Sequence, residues 1–325
     1  MFRSIVRRVR SLRPSLESLE GRALLSAFHL APVHHELPHH HCHVAPTPTP
    51  TPPSNQIIVN TVPDDPSGPA DGQTTLRDAI NLANAAPSTS KTIIEIGFSG
   101  NIDLKSQLPA LTGNMTIEPE GNYPVTIEYG ASYLTSLDAP PIFTVDGTVQ
   151  ISGIDIYGRF QPGIPVSPGE GGNGPGIINS GTLTCINDTF SQCVAWSSAG
   201  GPFNGGGIAN LSPGVATITN CEFSQCNSTN DGGAIYNNGS IIVSGTSFSD
   251  CGLQIGTWGG PANLNVFGGA IYNSGTMTLT ISNFSACDSE YGGAVSNTGN
   301  AVIDASTLAN LATQTGALYN TGTIN

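Results

Sequence analysis

The sequence predicts an all-β fold, a right-handed single-stranded parallel β-helix with a short N-terminal cap helix. Three observations carry that expectation. Only 10% of the 325 residues are charged, while Gly (40) and Pro (24) are abundant, which excludes a coiled coil or helical bundle and fits many short strands joined by turns. The stretch GGAIYNNG at Gly232–Gly239 returns as GGAIYNSG at Gly268–Gly275, and such self-similarity marks a repeat architecture. The spacing between copies varies, as it does when each turn of a coil keeps its strands in register and one loop changes length.

The repeat is read by aligning the chain on the Asn of AIYN. Six copies place it at Asn179, Asn210, Asn237, Asn273, Asn297 and Asn320, with spacings of 31, 27, 36, 24 and 23 residues. A large aliphatic stands two residues earlier in every copy (Ile177, Ile208, Ile235, Ile271, Val295, Leu318), and the residue between varies. That alternation predicts a strand with a fixed inward face and a free outward face. Gly follows two residues after the Asn in most copies, and glycine at corners suits positive φ. Alternating apolar pairs come next: Leu183/Cys185, Ala216/Ile218, Ile241/Val243, Met277/Leu279 and Ala301/Ile303. An aromatic and a Cys three apart close the unit: Phe190/Cys193, Phe223/Cys226, Phe248/Cys251 and Phe284/Cys287, with Leu308/Leu311 in the fifth copy. Stacked turns ~4.8 Å apart would set each Asn, Phe and Cys on its counterpart, and the Asn column is expected to form a hydrogen-bonded ladder.

Four segments are expected: an export segment over 1–30, a disordered His-rich and Pro/Thr-rich linker over 31–56, an N-terminal cap over 57–91, and the β-helix over 92–325, with GGAIYN repeats from about 174. Residues 1–30 run from the basic FRSIVRRVRSLR to the apolar ALLSAFHL, the order of an export signal. All seven His fall between His29 and His43, with Cys42 among them. Imidazole and thiolate suit zinc, nickel or copper, yet no scaffold holds them in place, so an unstructured polar tail is the expectation and no metal or cofactor is assigned. In TTLRDAINLANA, Leu76, Ala79, Ile80 and Ala83 recur at helical spacing behind a Thr75/Asp78 capping box. Asp78 is expected to cap this helix and Arg77 to pair with a nearby acid.

Three resemblances follow from these residues. Leu19–Ala27, LEGRALLSA, resembles the LEPRxLL motif of large bacterial surface and secreted proteins, with Gly21 at the motif's Pro. The TTLRDA run resembles the CSLREA motif that precedes β-helical regions of secreted bacterial proteins, with Thr74 and Thr75 at its Cys and Ser. From about 174 the GGAI units resemble polymorphic outer-membrane protein repeats, whose FxxN is FxxC here. These resemblances imply a secreted or cell-surface bacterial protein with an adhesive or architectural role. The family's usual C-terminal membrane barrel is not seen in this sequence.

Charge narrows the partners. Twenty acids between residues 57 and 325 face only Arg77, Lys91, Lys105 and Arg159. An acidic surface of this kind repels nucleic acid and anionic polysaccharide. Surface glycans or other surface proteins remain as partners, and the outward Tyr236, Tyr272 and Tyr319 are candidates for touching them, unless they only reflect the preference of aromatics for strands. The sixth copy ends at Asn325 with an exposed edge, so end-to-end self-association or continuation into further turns is expected.

An enzyme is the alternative, because solenoids of this pectin-lyase-like kind include polysaccharide lyases and hydrolases. Beyond Arg159 there is no Lys, Arg or His, so a general base would have to be a carboxylate. Glu170, Asp188, Glu222, Asp231, Asp250, Asp288, Glu290 and Asp304 fall at different repeat positions and form no pair, and no catalytic residue is assigned. Asp288–Glu290 is weighed as a calcium site and read as solvated. The FxxC cysteines are expected as a buried stack of free thiols, because turns ~4.8 Å apart separate Cβ atoms more than a disulfide's ~3.5–4.5 Å. Cys185 and Cys221 are left open as a pair.

Overall fold

The computed structural model describes residues 55–64, 72–130, 140–158, 176–195, 204–252, 267–309, 312–313 and 316–325. The expectations for the export segment, the His-rich tract with Cys42, and Glu170 lie outside these residues.

From Phe143 on, each full turn of the chain lays one strand in each of three sheets, and like strands of successive turns pair in parallel. The turn from 232 to 252 shows the plan: Ile235–Asn237, then Ser240–Ser244, then Ser247–Ser249. Stacking these positions builds a seven-stranded, a ten-stranded and an eight-stranded sheet. Every strand pairing recorded is parallel and joins one turn to the next, so the fold is a parallel β-helix. The register is the one the repeats predict. Asn210 pairs with Asn237 and Asn237 with Asn273. Leu183/Cys185 stack on Ala216/Ile218, and Phe190 on Phe223.

The same plan extends below the sequence repeats. Phe143, Val149/Ile151 and Ile156 pair with Ile177, Leu183/Cys185 and Phe190. This turn belongs to the series although Val145 stands at the Asn position. Its Asn and Phe positions carry aliphatics, which hides it from an alignment keyed on AIYN.

The interior is a set of columns. Phe190, Phe223, Phe248 and Phe284 stack with ring centroids 4.5, 5.0 and 4.6 Å apart and planes within 3°, 11° and 5°. Successive turns therefore rotate little relative to one another, and such flatness needs side-chain ladders to hold it. The Asn column supplies one: Nδ2 of Asn179, Asn210, Asn237, Asn273 and Asn297 each donates to Oδ1 of the next Asn at 2.6–2.7 Å.

The glycines divide by physical role. Among the described residues, the Gly that opens each Gly-Gly corner has the positive φ expected there, +68° at Gly232 and +73° at Gly268. The Gly after the Asn does not. A Cβ on Gly275 would collide with the Gly239 carbonyl oxygen of the turn before, so that Gly is required by close backbone approach. Positive φ at the other corners is shared between glycines such as Gly153 and Gly245 and ordinary residues, including Asn220, Ile281 and Ala286.

The helix Leu76–Ala85 opens on Thr75. The Asp78 amide donates to Thr75 Oγ1 and the Thr75 amide to Asp78 Oδ2, closing the expected capping box. It buries Leu76, Ala79, Ile80 and Ala83 against Gln56–Val59, Thr92–Ile96 and Asn114–Pro119. These are the first turns of the ten-stranded sheet, where the seven-stranded sheet has not begun. The helix takes the place of that missing wall. Arg77 pairs with Asp64 at 2.7 Å and donates to the Ser106 and Gln107 carbonyls, tying helix to solenoid. Both expected roles, a cap for Asp78 and an ion pair for Arg77, are structural.

Candidate functional site

Three places gather polar or aromatic side chains. The first is the outer face of the eight-stranded sheet in its early turns. Asp103 and Glu128 are register partners on adjacent strands, which sets their Cα atoms ~4.8 Å apart. Glu128 is buried and accepts from Asn101 Nδ2 at 2.8 Å. One column over, Asp155 accepts from Ser191 and Thr126. Burial raises its pKa, and those two hydrogen bonds oppose the rise. Repeat alignment from 174 onward did not reach this cluster. Its signal is the i, i+2 spacing of polar residues in GNIDL and VTIEY, visible only once those strands are set side by side.

The second place is a corner inside the wall. Asp188 is 1% exposed. Its Oδ1 accepts from the Ile154 amide at 2.9 Å and its Oδ2 from the Ile186 amide at 3.1 Å. Burial pushes its pKa up to about 7 against the lowering effect of those bonds. Turn by turn, the Cys221 amide donates to Thr246 Oγ1, the Thr246 amide to Ser282 Oγ, and the Ser282 amide to Ser306 Oγ. Asp188 is the first member of this column of short acceptors, so its carboxylate satisfies backbone. Cys185 and Cys221 lie beside it as free thiols, which closes the question of a disulfide between them. Cys193, Cys226, Cys251 and Cys287 form the expected buried free-thiol stack. Each of them donates to the strand carbonyl of the turn before, as Cys226 Sγ does to Phe190 O at 3.3 Å.

The third place is the outer face of the seven-stranded sheet. Tyr236 and Tyr272 stack at 5.5 Å. Their column is broken by Ser296, and Phe267 and Tyr291 fill the break. Phe267 lies 4.8 Å from Tyr291, 5.7 Å from Tyr319 and 6.3 Å from Tyr272. Ser296 is fully buried, and its Oγ has no hydrogen-bond partner among the described residues. Rings this close fill the space between them and leave none for a guest. The three outward Tyr expected from the sequence are thus half-buried members of a five-ring cluster. Beside it Asp231 accepts from the Phe267 amide, and burial raises its pKa to about 6.

Four of the other acids weighed as catalytic, Glu222, Asp250, Asp288 and Asp304, fall at different places in the turn. Glu222 sits in the Asp155 column, next to Thr189. Asp250 is a positive-φ corner residue. Asp288 pairs with Ala312 and Asp304 with Thr280, in different sheets. Among the described residues no group of three or more His, Cys, Asp or Glu is placed to hold a metal, and no helix is long and apolar enough to cross a membrane.

Fold and side chains together define the class, a parallel β-helix whose interior is built from Asn, Phe and Cys columns. No protein-family model matches the chain, and no curated protein matches it.

Proposed function

We propose that the protein is an exported β-helix of the bacterial surface or its surroundings, with an architectural or adhesive role toward surface glycans or other surface proteins. The observation that carries this reading is how two buried carboxylates, Asp64 and Asp188, and the partly buried Asp231 are used. Asp64 holds Arg77, Asp188 holds two backbone amides, and Asp231 holds the Phe267 amide. Each is engaged in keeping turns together. The basic-then-apolar start and the LEPRxLL and CSLREA resemblances support export. Retention of the full chain on a panel of immobilised glycans and cell-surface extracts, with no product released, is the expected result. Turnover of any polysaccharide would overturn it.

One observation favours a second reading, a carbohydrate-active enzyme. The register pairing of Asp103 with Glu128 brings two carboxylates near the ~5–5.5 Å separation of retaining glycosidases. That reading requires polysaccharide cleavage that Glu128→Gln abolishes while the melting temperature is kept.

A further inference from the structure

The outer face of the ten-stranded sheet carries three columns of outward side chains. Over the five turns from Thr148 to Thr280 these are fifteen positions, of which eight are Thr and three Ser. None is charged, in a chain with 23 acidic residues and a net charge of −13. The same columns hold Glu95 and Glu118 in earlier turns and Asp304 in the next. Charge is therefore compatible with the positions, yet none of the fifteen carries it. Threonine suits any strand, so β-propensity accounts for Thr but not for the exclusion of charge. The face is open: Val215 and Ile242, in the same columns, are 45% and 49% exposed.

Its geometry is regular in both directions. Five residues pair without a bulge at each of the four steps from one turn to the next. The Phe column, a wall away, measures the rise per turn at 4.5–5.0 Å with little rotation. Along a parallel strand, outward residues repeat every ~6.6 Å. Tetrahedrally bonded water with O···O of ~2.75 Å has second-neighbour oxygens ~4.5 Å apart and a perpendicular layer repeat of ~7.3 Å. Both protein spacings lie within about a tenth of these values. Each Thr supplies a hydroxyl that bonds water and a methyl that orders it.

We propose that this face, from Thr148 to Thr280, binds the surface of ice. The threonine columns align water with the crystal lattice, and the only charge hydrogen-bonded to one of the fifteen positions among the described residues, the Lys91 ammonium at Gln150 Oε1 (3.4 Å), lies in the first of the five turns and leaves the other four without an ion hydration shell of that kind. Binding to a flat polysaccharide crystal is the rival use of such a face.

The test grows ice slowly from a solution of the full chain and an inert reference protein, then compares their concentrations in ice and liquid. The chain is expected to be enriched in ice at least fivefold over the reference and to facet growing crystals. Thr217→Lys with Thr278→Lys should reduce enrichment to the reference level. Ser224→Lys with Ser249→Lys, on the outer face of the eight-stranded sheet, should leave it unchanged, with circular-dichroism melting checking both folds. If the threonine-to-lysine chain does not fold, Thr217→Ser with Thr278→Ser removes only the methyls and should still cut enrichment severalfold. Exclusion of the wild-type chain from ice, equal loss in both lysine variants, or adsorption to microcrystalline polysaccharide without entry into ice would overturn the proposal.

Discussion

Asn237 donates its Nδ2 hydrogen to Oδ1 of Asn273, 2.6 Å away on the next turn. The same nitrogen bonds the Thr276 carbonyl at 3.1 Å, and Asn237 Oδ1 receives Asn210 Nδ2 at 2.7 Å. Every link in the ladder points one way, so donors face the later turns. The acceptor at its start, Asn179 Oδ1, is buried without a hydrogen-bond partner among the described residues. Val145 stands where a preceding Asn would be.

Asn237→Ala is expected to destabilise the fold by about 3 kcal/mol, because it strands the buried acceptor Asn273 Oδ1, takes from Asn210 Nδ2 its shortest bond and removes the Asn237 bond to the Thr276 carbonyl. Asn320→Ala, at an exposed position, should cost about 1 kcal/mol. Denaturant unfolding measures both. Equal losses would mean that the ladder is not what the Asn column contributes.

Ile235 is fully buried, and Tyr236 beside it faces out against Tyr272. Ile235→Asp places a carboxylate in an apolar column and should cost about 4 kcal/mol or prevent folding. Tyr236→Asp gives up ring stacking and should cost about 1 kcal/mol. Melting temperatures that fall equally would place the inward face wrongly.

Ile281 occupies a corner at φ +50° and is 65% exposed. A β-branched residue is strained there. Asn187 and Asn220 hold equivalent corners at φ 56° and 54°, and Asn tolerates that conformation. Ile281→Asn is therefore expected to stabilise by about 1 kcal/mol, read as a rise in melting temperature. A fall would show that the Ile side chain contributes packing greater than its strain.

Asp188 titrates at about 7 in the folded chain against about 3.9 unfolded. Between these values the unfolded state has lost a proton that the folded state keeps, so stability falls as pH rises from about 4 to about 7 and is level above. The integrated effect is roughly 4 kcal/mol. Asp188→Ser retains an acceptor for the Ile154 amide, as Thr246 does for Cys221. The difference in stability between variant and wild type should therefore change across that window. A difference constant from pH 4 to 8 would contradict it.

Burial pushes the thiols of Cys185, Cys226 and Cys251 well above their usual range. All six described cysteines should resist a thiol reagent at pH 8 and react once denaturant unfolds the chain. Labelling of any of the six in the folded protein would refute the buried columns.

Register was legible in the sequence because parallel, in-register stacking sets like on like. The Asn, Phe and Cys columns and the Leu183/Cys185 series pair as the alignment requires, and the period-2 alternation alone decides which side chains face in. The Thr75/Asp78 cap and its helix were legible for a similar reason, since both are local. Contacts between columns depended on the tertiary structure. Phe267 and Tyr291 join Tyr272 and Tyr319 because the chain turns sharply at each Gly-Gly corner, and no spacing rule encodes that. Asp188 becomes a buried acceptor because the strand of the turn before brings the Ile154 amide to it. The Gly after each Asn is needed for backbone contact with a neighbouring turn rather than for its own dihedral angle, a distinction that exists only once the turns are stacked.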